Sequence, residues 1–138
     1  MSALPPMAAP HRFTVRVYYE DTDLAGIVYY ANYLKFIERA RTEWVRRLGI
    51  DQAALKAESG IVFAVRRVEA DYLSPARFDD LLDVETAPVD LRLARIVLRQ
   101  TVLRGQTALF DARVTLVALG EDGRPRRLPR NLTDRIGG

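Results

Sequence analysis

The chain has no cysteine and a single histidine, His11. The first absence removes thiolate nucleophiles and thiolate metal sites. The second leaves a histidine-based zinc site without another ligand of its kind, and a Ser-His-Asp triad without a positioned imidazole. Serine is scarce as well. Ser2, Ser59 and Ser74 are the full set, and none stands in G-x-S-x-G. Neither G-x-G-x-x-G nor a P-loop occurs. No apolar run approaches the length of a membrane span. The opening stretch MSALPPMAAPHR has too many prolines and too short an apolar run for a signal peptide, and residues 1–11 read as a disordered tail. Nothing asks for an oxidising compartment, so the cytoplasm is the expected location. Any catalysis falls to carboxylates, backbone amides and bound water, with no metal or redox cofactor required.

What is present fits one globular domain over residues 12–130, followed by a C-terminal tail over 131–138. With 138 residues, 49% of them hydrophobic and 28% charged, the chain can bury a core unaided. Of 21 basic residues only Lys35 and Lys56 are lysine. Arg124, Arg126, Arg127, Arg130 and Arg135 crowd the stretch GRPRRLPRNLTDRIGG, which suits either phosphate or a solvated tail. A net charge of +3 without interleaved basic and aromatic residues argues against a nucleic-acid partner.

Periodicity then sets the order of elements. FTVRVYY (13–19) alternates as a half-buried strand does. ANYLKFIERARTEWVRRLG has helical period: Tyr33, Ile37, Ala40, Trp44 and Leu48 recur at spacings of three and four, and Phe36 and Val45 widen the stripe. Gly49 is placed to stop this helix, and Asp51 to cap a short one over DQAALKAES. From residue 61 the runs IVFAVRRVEADYL, LLDVETAPV, RIVLRQTVLRG and TALFDARVTLVAL read as strands, separated by SPARFDD, VDLRLA, Gly105-Gln106 and GEDGRP. Strand, helix, then a run of long strands predicts an α+β fold in which an antiparallel sheet wraps one long helix.

Between the first strand and the long helix lies YYEDTDLAGIVYYANY (18–33). Alone, Asp21 and Asp23 are turn residues and Gly26 a turn glycine. In the frame D-T-D-x-x-G-x-V-Y-Y-x-x-Y, with KFIERARTEW behind it and RRVEADYLSPARFDDLLDVET further on, the chain resembles the hot-dog fold thioesterases. Within the 4-hydroxybenzoyl-CoA thioesterase family it is most similar to the Tol–Pal-associated acyl-CoA thioesterase branch. The resemblance runs from about Phe13 to about Leu128.

That resemblance implies a sheet rolled around one central helix, and subunits paired through their sheets into dimers or dimers of dimers, with active sites at the subunit interface. It implies hydrolysis of an acyl-coenzyme A thioester. Asp23 would be the catalytic carboxylate, as nucleophile or general base, and the backbone N–H of Tyr30 the oxyanion donor, with Gly26 letting the backbone approach the thioester. Tyr29, Asn32 and Tyr33 are candidates to line the acyl pocket, packing being the alternative for both tyrosines. Glu38 stands where some hydroxybenzoyl enzymes hold the substrate phenol, with a surface pairing to Arg41 or Thr42 as the alternative. Arg92 and Arg95, together with Arg124, Arg126 and Arg127, are candidates for the coenzyme A phosphates, and Arg77 is expected to pair with Asp79, Asp80 or Glu69. The branch commonly has histidine where Tyr30 stands, so the acyl group stays open. The competing readings are an acyl-CoA sensor without hydrolysis and a thioesterase acting on acyl carrier protein, whose acidic surface the basic excess suits.

Overall fold

The stripe expected on the long helix is what the rest of the chain wraps. In the computed structural model, which describes residues 2–3 and 10–137, α1 spans Asn32–Arg47 and buries Tyr33, Phe36, Ile37, Ala40, Trp44 and Val45. It ends at Gly49, whose φ of +83° is a left-handed conformation open to glycine. Asp51 then caps α2 (Gln52–Ser59) by accepting the Ala54 N–H at 3.1 Å.

Among the described residues six strands form one antiparallel sheet: β1 (Ser2–Ala3), β2 (His11–Arg16), β3 (Val62–Tyr72), β4 (Leu81–Leu91), β5 (Arg95–Arg104) and β6 (Thr107–Leu119). Their order is β1-β4-β5-β6-β3, with β2 sharing the outer edge of β4 with β1. Leu82, Val84 and Thr86, then Ile96, Leu98, Gln100 and Val102, then Phe110, Ala112, Val114, Leu116 and Ala118 are buried on the helix side. The alternate positions carry much of the charge, as the two-residue period of a one-sided sheet requires. Register shifts at Val65/Arg67, Pro88/Asp90 and Val102/Leu103 add the local bends that let the sheet curl.

One polar group breaks the apolar layer. Gln100 is 0% exposed, yet each of its side-chain atoms is used. Its amide donates to the Ile37 carbonyl and to Thr86 Oγ1, both at 2.9 Å, and its oxygen accepts from the Arg41 guanidinium at 3.0 Å. The network ties the middle of α1 to β4 and β5 and leaves no buried amide atom unpaired.

β3 is an open edge. It pairs with β6 on one side, and no strand among the described residues pairs with the other. Val62, Val65, Val68 and Tyr72 are all exposed along it.

Two terminal expectations are corrected. His11 does not sit in a tail; it heads β2, and its Nδ1 is buried without a partner among the described residues. Burial foremost, and then the charge of Arg47, holds its imidazole below the ordinary value. The rest of the expected N-terminal tail falls on residues 1 and 4–9, outside the described residues, and on the short strand β1. At the other end, the expected tail over 131–138 contains α3 (Arg130–Gly137). Leu128, Leu132 and Ile136 stand four apart, and Leu132 is buried in the core with Leu128. Pro129 starts the turn, its carbonyl accepting from Leu132 and Thr133 at 3.1 Å each.

Candidate active site

The segment joining β2 to α1 folds back on itself. Val17 is buried, a single 3-10 turn covers Tyr19–Asp21, and Thr22 then bridges to Val28 in antiparallel fashion. At the tip, the Asp23 N–H donates to the Ile27 carbonyl at 3.0 Å and the Gly26 N–H to the Asp23 carbonyl at 2.9 Å. Gly26 has φ of +79°, and a Cβ built on it meets nothing within 4 Å. Its necessity within one chain is therefore conformational, not the avoidance of a side-chain collision.

Two supports fix this tip to the body. The Val28 N–H donates to the Ala76 carbonyl at 2.9 Å and Ile27 bridges to Arg77, so the β3–β4 connection backs the turn. Asp21 supplies the other. Its carboxylate accepts the Tyr18 N–H at 2.8 Å, and its carbonyl accepts both the Tyr29 N–H and the Asn32 side-chain amide at 2.9 Å. Asp21 and Asn32 thus clamp the two ends of the motif together. Asn32 spends a donor on that clamp.

Asp23 itself is exposed, and its Oδ1 accepts only the Ala25 N–H, at 3.0 Å. The other carboxylate oxygen has no protein partner among the described residues. The Tyr30 hydroxyl, and to a lesser degree burial and the Asp23 charge, hold the Tyr29 phenol above its ordinary value. Tyr29 and Tyr30 are both exposed, with ring centroids 4.9 Å apart.

The backbone at the head of α1 leaves donors free. Asn32 N–H returns to the Tyr29 carbonyl at 2.8 Å, and Leu34 N–H to the Ala31 carbonyl at 3.2 Å. Among the described residues, the N–H groups of Tyr30 and Ala31 donate to nothing. Unpaired amides at a helix start, with the dipole behind them, favour a negative charge. The sheet has already brought an apolar space beside them. A cavity of about 320 Å³ is lined by Ile27, Val28, Tyr30, Tyr33, Tyr72, Leu73, Ser74 and Pro75. Tyr33 is 3% exposed, stacks on Phe110 at 5.0 Å, and accepts the Ala76 N–H on its hydroxyl at 2.9 Å. Burial is the main reason its phenol is raised.

The remaining candidates lie elsewhere. Glu38, on the next turns of α1, accepts the Thr42 hydroxyl at 2.7 Å and borders a separate cavity of about 180 Å³ with Arg41, Val45, Phe63 and Val65. Arg92 and Arg95 are at the far end of the sheet, lining a cavity of about 390 Å³ with Arg66, Leu93, Ala94, Val117 and Pro125. Arg66 to Tyr72 along β3 is about 20 Å at the usual strand rise, so one chain does not join these arginines to Asp23. Arg77, expected to pair with Asp79, Asp80 or Glu69, meets Asp80 through its backbone N–H at 2.9 Å. The guanidinium on Asp80 is that of Arg104, at 2.9 Å. Tyr72 was not among the expected site residues. It ends β3 in ADYLSP, opposite Phe110 of β6, and the local sequence marks it only as a tyrosine at a strand terminus.

A curled antiparallel sheet around one long helix is the hot-dog fold. The chain belongs to the thioesterase superfamily, whose family model matches residues 25–110 and begins just past Asp23. An acyl-CoA thioester hydrolase, YbgC, of Escherichia coli O6:H1 is 40% identical over 123 residues, covering 88% of this chain and 91% of that protein. An acyl-CoA thioesterase, YbgC, of Haemophilus influenzae is 45% identical over 111 residues, covering 79% and 82%. Among solved structures, a probable thioesterase from Bartonella henselae superposes with a TM-score of 0.84 at 40% identity, over 88% of this chain and 100% of that one. The similarity to the YbgC proteins fits the Tol–Pal branch expected from the motif.

Proposed function

We propose that the protein is a cytoplasmic thioesterase that hydrolyses an acyl-coenzyme A to the free acid and coenzyme A. The observation that supports this reading is that one short segment holds both the exposed Asp23 carboxylate, on a turn fixed by backbone bonds, and a Tyr30 N–H without a partner among the described residues. The names of the similar YbgC proteins support the acyl-CoA substrate.

In the reaction the acyl group enters the cavity beside Tyr30, Tyr33 and Tyr72. The thioester oxygen turns toward the Tyr30 N–H, where the charge of the tetrahedral species develops. Asp23 has two routes. As a nucleophile it attacks the carbonyl carbon, the thiolate leaves, and water opens the mixed anhydride to give the acid and restore the carboxylate. As a general base it takes a proton from water, whose oxygen attacks the same carbon, and the proton reaches the departing thiolate. Tyr29 stands beside the cavity-lining Tyr30, Asn32 holds the turn through the Asp21 carbonyl, Gly26 gives the turn its shape, and neither route needs a metal.

A second copy of this chain, antiparallel along β3, would complete the site. With Val68 facing its counterpart, Arg67 stands opposite the partner's Glu69, so the edge complements itself. That pairing carries the partner's Arg66, Arg92 and Arg95 to the Tyr72 end of this protomer, where guanidinium groups suit the pyrophosphate and ribose phosphate of coenzyme A. It also brings the partner's Glu38 cavity toward the acyl pocket.

The test is thiol release from short aliphatic, long aliphatic, benzoyl and 4-hydroxybenzoyl coenzyme A esters by wild type and Asp23→Asn. Turnover by the wild type that falls at least 100-fold in the variant is expected, the order typical of a lost catalytic acid or base. Undiminished turnover in Asp23→Asn would remove the carboxylate from the mechanism. Tight binding without release by the wild type would make the protein a sensor, or direct the search to acyl carrier protein.

A further inference from the structure

Tyr30 is followed by a carbonyl that the helix does not use. Leu34 N–H goes to the Ala31 carbonyl, so the first turn skips Tyr30. That oxygen is taken instead from across the fold, by the Tyr72 hydroxyl at 3.0 Å. A carbonyl can only accept, so the phenol donates. The two residues are 42 apart in sequence, and Tyr72 is the last residue of β3.

The consequence for Tyr30 is specific. Each α-carbon lies between two peptide planes, and here both are fastened. The plane before it, which carries the Tyr30 N–H, is held by Asn32 N–H on the Tyr29 carbonyl at 2.8 Å. The plane after it, which carries the Ala31 N–H, is held by Tyr72 on the Tyr30 carbonyl. With both planes fixed, φ and ψ of Tyr30 are fixed, and so are the directions of the two free amides. The ring of Tyr72 has its own anchorage. It stands edge-on to Phe110 at 4.9 Å, to Tyr33 at 5.6 Å and to Tyr30 at 6.2 Å. Its hydroxyl is therefore aimed by packing. Burial first, and then the Tyr30 and Tyr33 hydroxyls, raise its phenol above the ordinary value, in the direction that keeps the hydroxyl proton.

We propose that Tyr72 is a positioning residue for the oxyanion hole, acting on the reacting oxygen only through the Tyr30–Ala31 backbone. The inference rests on the reading of the Tyr30 amide as oxyanion donor. Its effect is confined to the transition state, because the ground-state thioester oxygen carries little charge to be oriented. Tyr72→Phe keeps the aromatic ring at this cavity-lining position, so removing the oxygen retains most of the side chain there.

Tyr72→Phe tests this, measured beside wild type and Asp23→Asn on the ester the wild type turns over best. Expected is a fall in kcat of about tenfold, the rate equivalent of one neutral hydrogen bond, with KM within about twofold. Affinity for the matching thioether analogue, which lacks the carbonyl, should be unchanged. A melting midpoint within a few degrees of wild type in Tyr72→Phe would separate positioning from collapse. Unchanged kcat overturns the proposal while leaving the Asp23 reading intact. A rise in KM with weaker thioether binding and unaltered kcat also overturns it, since the hydroxyl would then touch substrate. Full turnover in Asp23→Asn, or no thiol release by the wild type, overturns the catalytic reading and this inference with it.

Discussion

Replacing Gln100 by leucine should cost far more than the loss of one neutral side chain from a surface. The substitution is close to isosteric and gains apolar contact, worth about 1 kcal/mol at this size. Against that stand three groups deprived of a partner. The Ile37 carbonyl is a helix acceptor and loses only a second bond, which is cheap. The Thr86 hydroxyl is 0% exposed and no longer receives the Gln100 amide, at a cost of about 1–2 kcal/mol. Arg41 matters more. Its guanidinium is mostly buried, burial already lowers its pKa, and Gln100 is its one hydrogen-bond acceptor among the described residues. Stranding it costs about 2–3 kcal/mol. The net expectation is about 2–4 kcal/mol of destabilisation. Urea unfolding followed by fluorescence of Trp44, the single tryptophan and 3% exposed, reads it directly at fixed protein concentration. Adding Arg41→Met to Gln100→Leu removes the stranded charge, so the double variant should be more stable than the sum of the singles by at least about 1 kcal/mol. Additive costs, or a Gln100→Leu loss below about 1 kcal/mol, would refute the network as described.

Acid should loosen the β3–β4 corner. Burial opposes ionisation of Asp80, but the Arg77 N–H and the Arg104 guanidinium outweigh it and lower its pKa in the folded state. Stability from this pair is thus present above the unfolded carboxylate pKa and is lost as pH falls through the folded one. Arg104→Met should flatten that part of an acid titration of the unfolding midpoint, and an unchanged acid limb would argue against the pairing. At the open edge, Val68→Lys sets like charges face to face in the proposed two-fold pairing. Light scattering should then give the mass of one chain where the wild type gives at least twice that. A wild type that is already a single chain would dispose of the assembly.

Much of the fold could be read from periodicity because its elements are long and one-sided. The apolar spacing of α1 named all of its buried residues in advance, and TALFDARVTLVAL matched β6 to its ends. The fold's chief misreading was α3. Leu128, Leu132 and Ile136 carry a four-residue spacing, but prolines and arginines around them gave the stretch the texture of a solvated tail. In the site, the residues of the 18–33 segment were visible because they are neighbours in sequence. Tyr72 was not, because its hydrogen bond spans 42 residues and depends on where β3 stops. Gly26 has a further reason that the sequence did not show: its left-handed φ of +79° is a property of the turn itself. The separation of Arg92 and Arg95 from Asp23 was hidden for a related cause, since a list of strands does not say which hairpin lies at which end of the sheet.

The turn that presents Asp23 is built almost wholly from main chain. Asp23 to Ile27, Gly26 to Asp23, Val28 to Ala76 and Tyr29 to Asp21 are all bonds between peptide groups. Gly26 adds its left-handed backbone, and side chains add the Asp21 and Asn32 clamp, the Thr22 hydroxyl on the Tyr19 carbonyl and the Asp23 carboxylate on the Ala25 N–H, while Leu24, Tyr29 and Tyr30 are exposed. Frame and lining are therefore separable. A substitution at the exposed position 29 or 30 would change the surface beside the turn without removing any of those peptide-to-peptide bonds. Such a loop can explore new substrates by drift, because the parts open to mutation are not the parts that keep it folded.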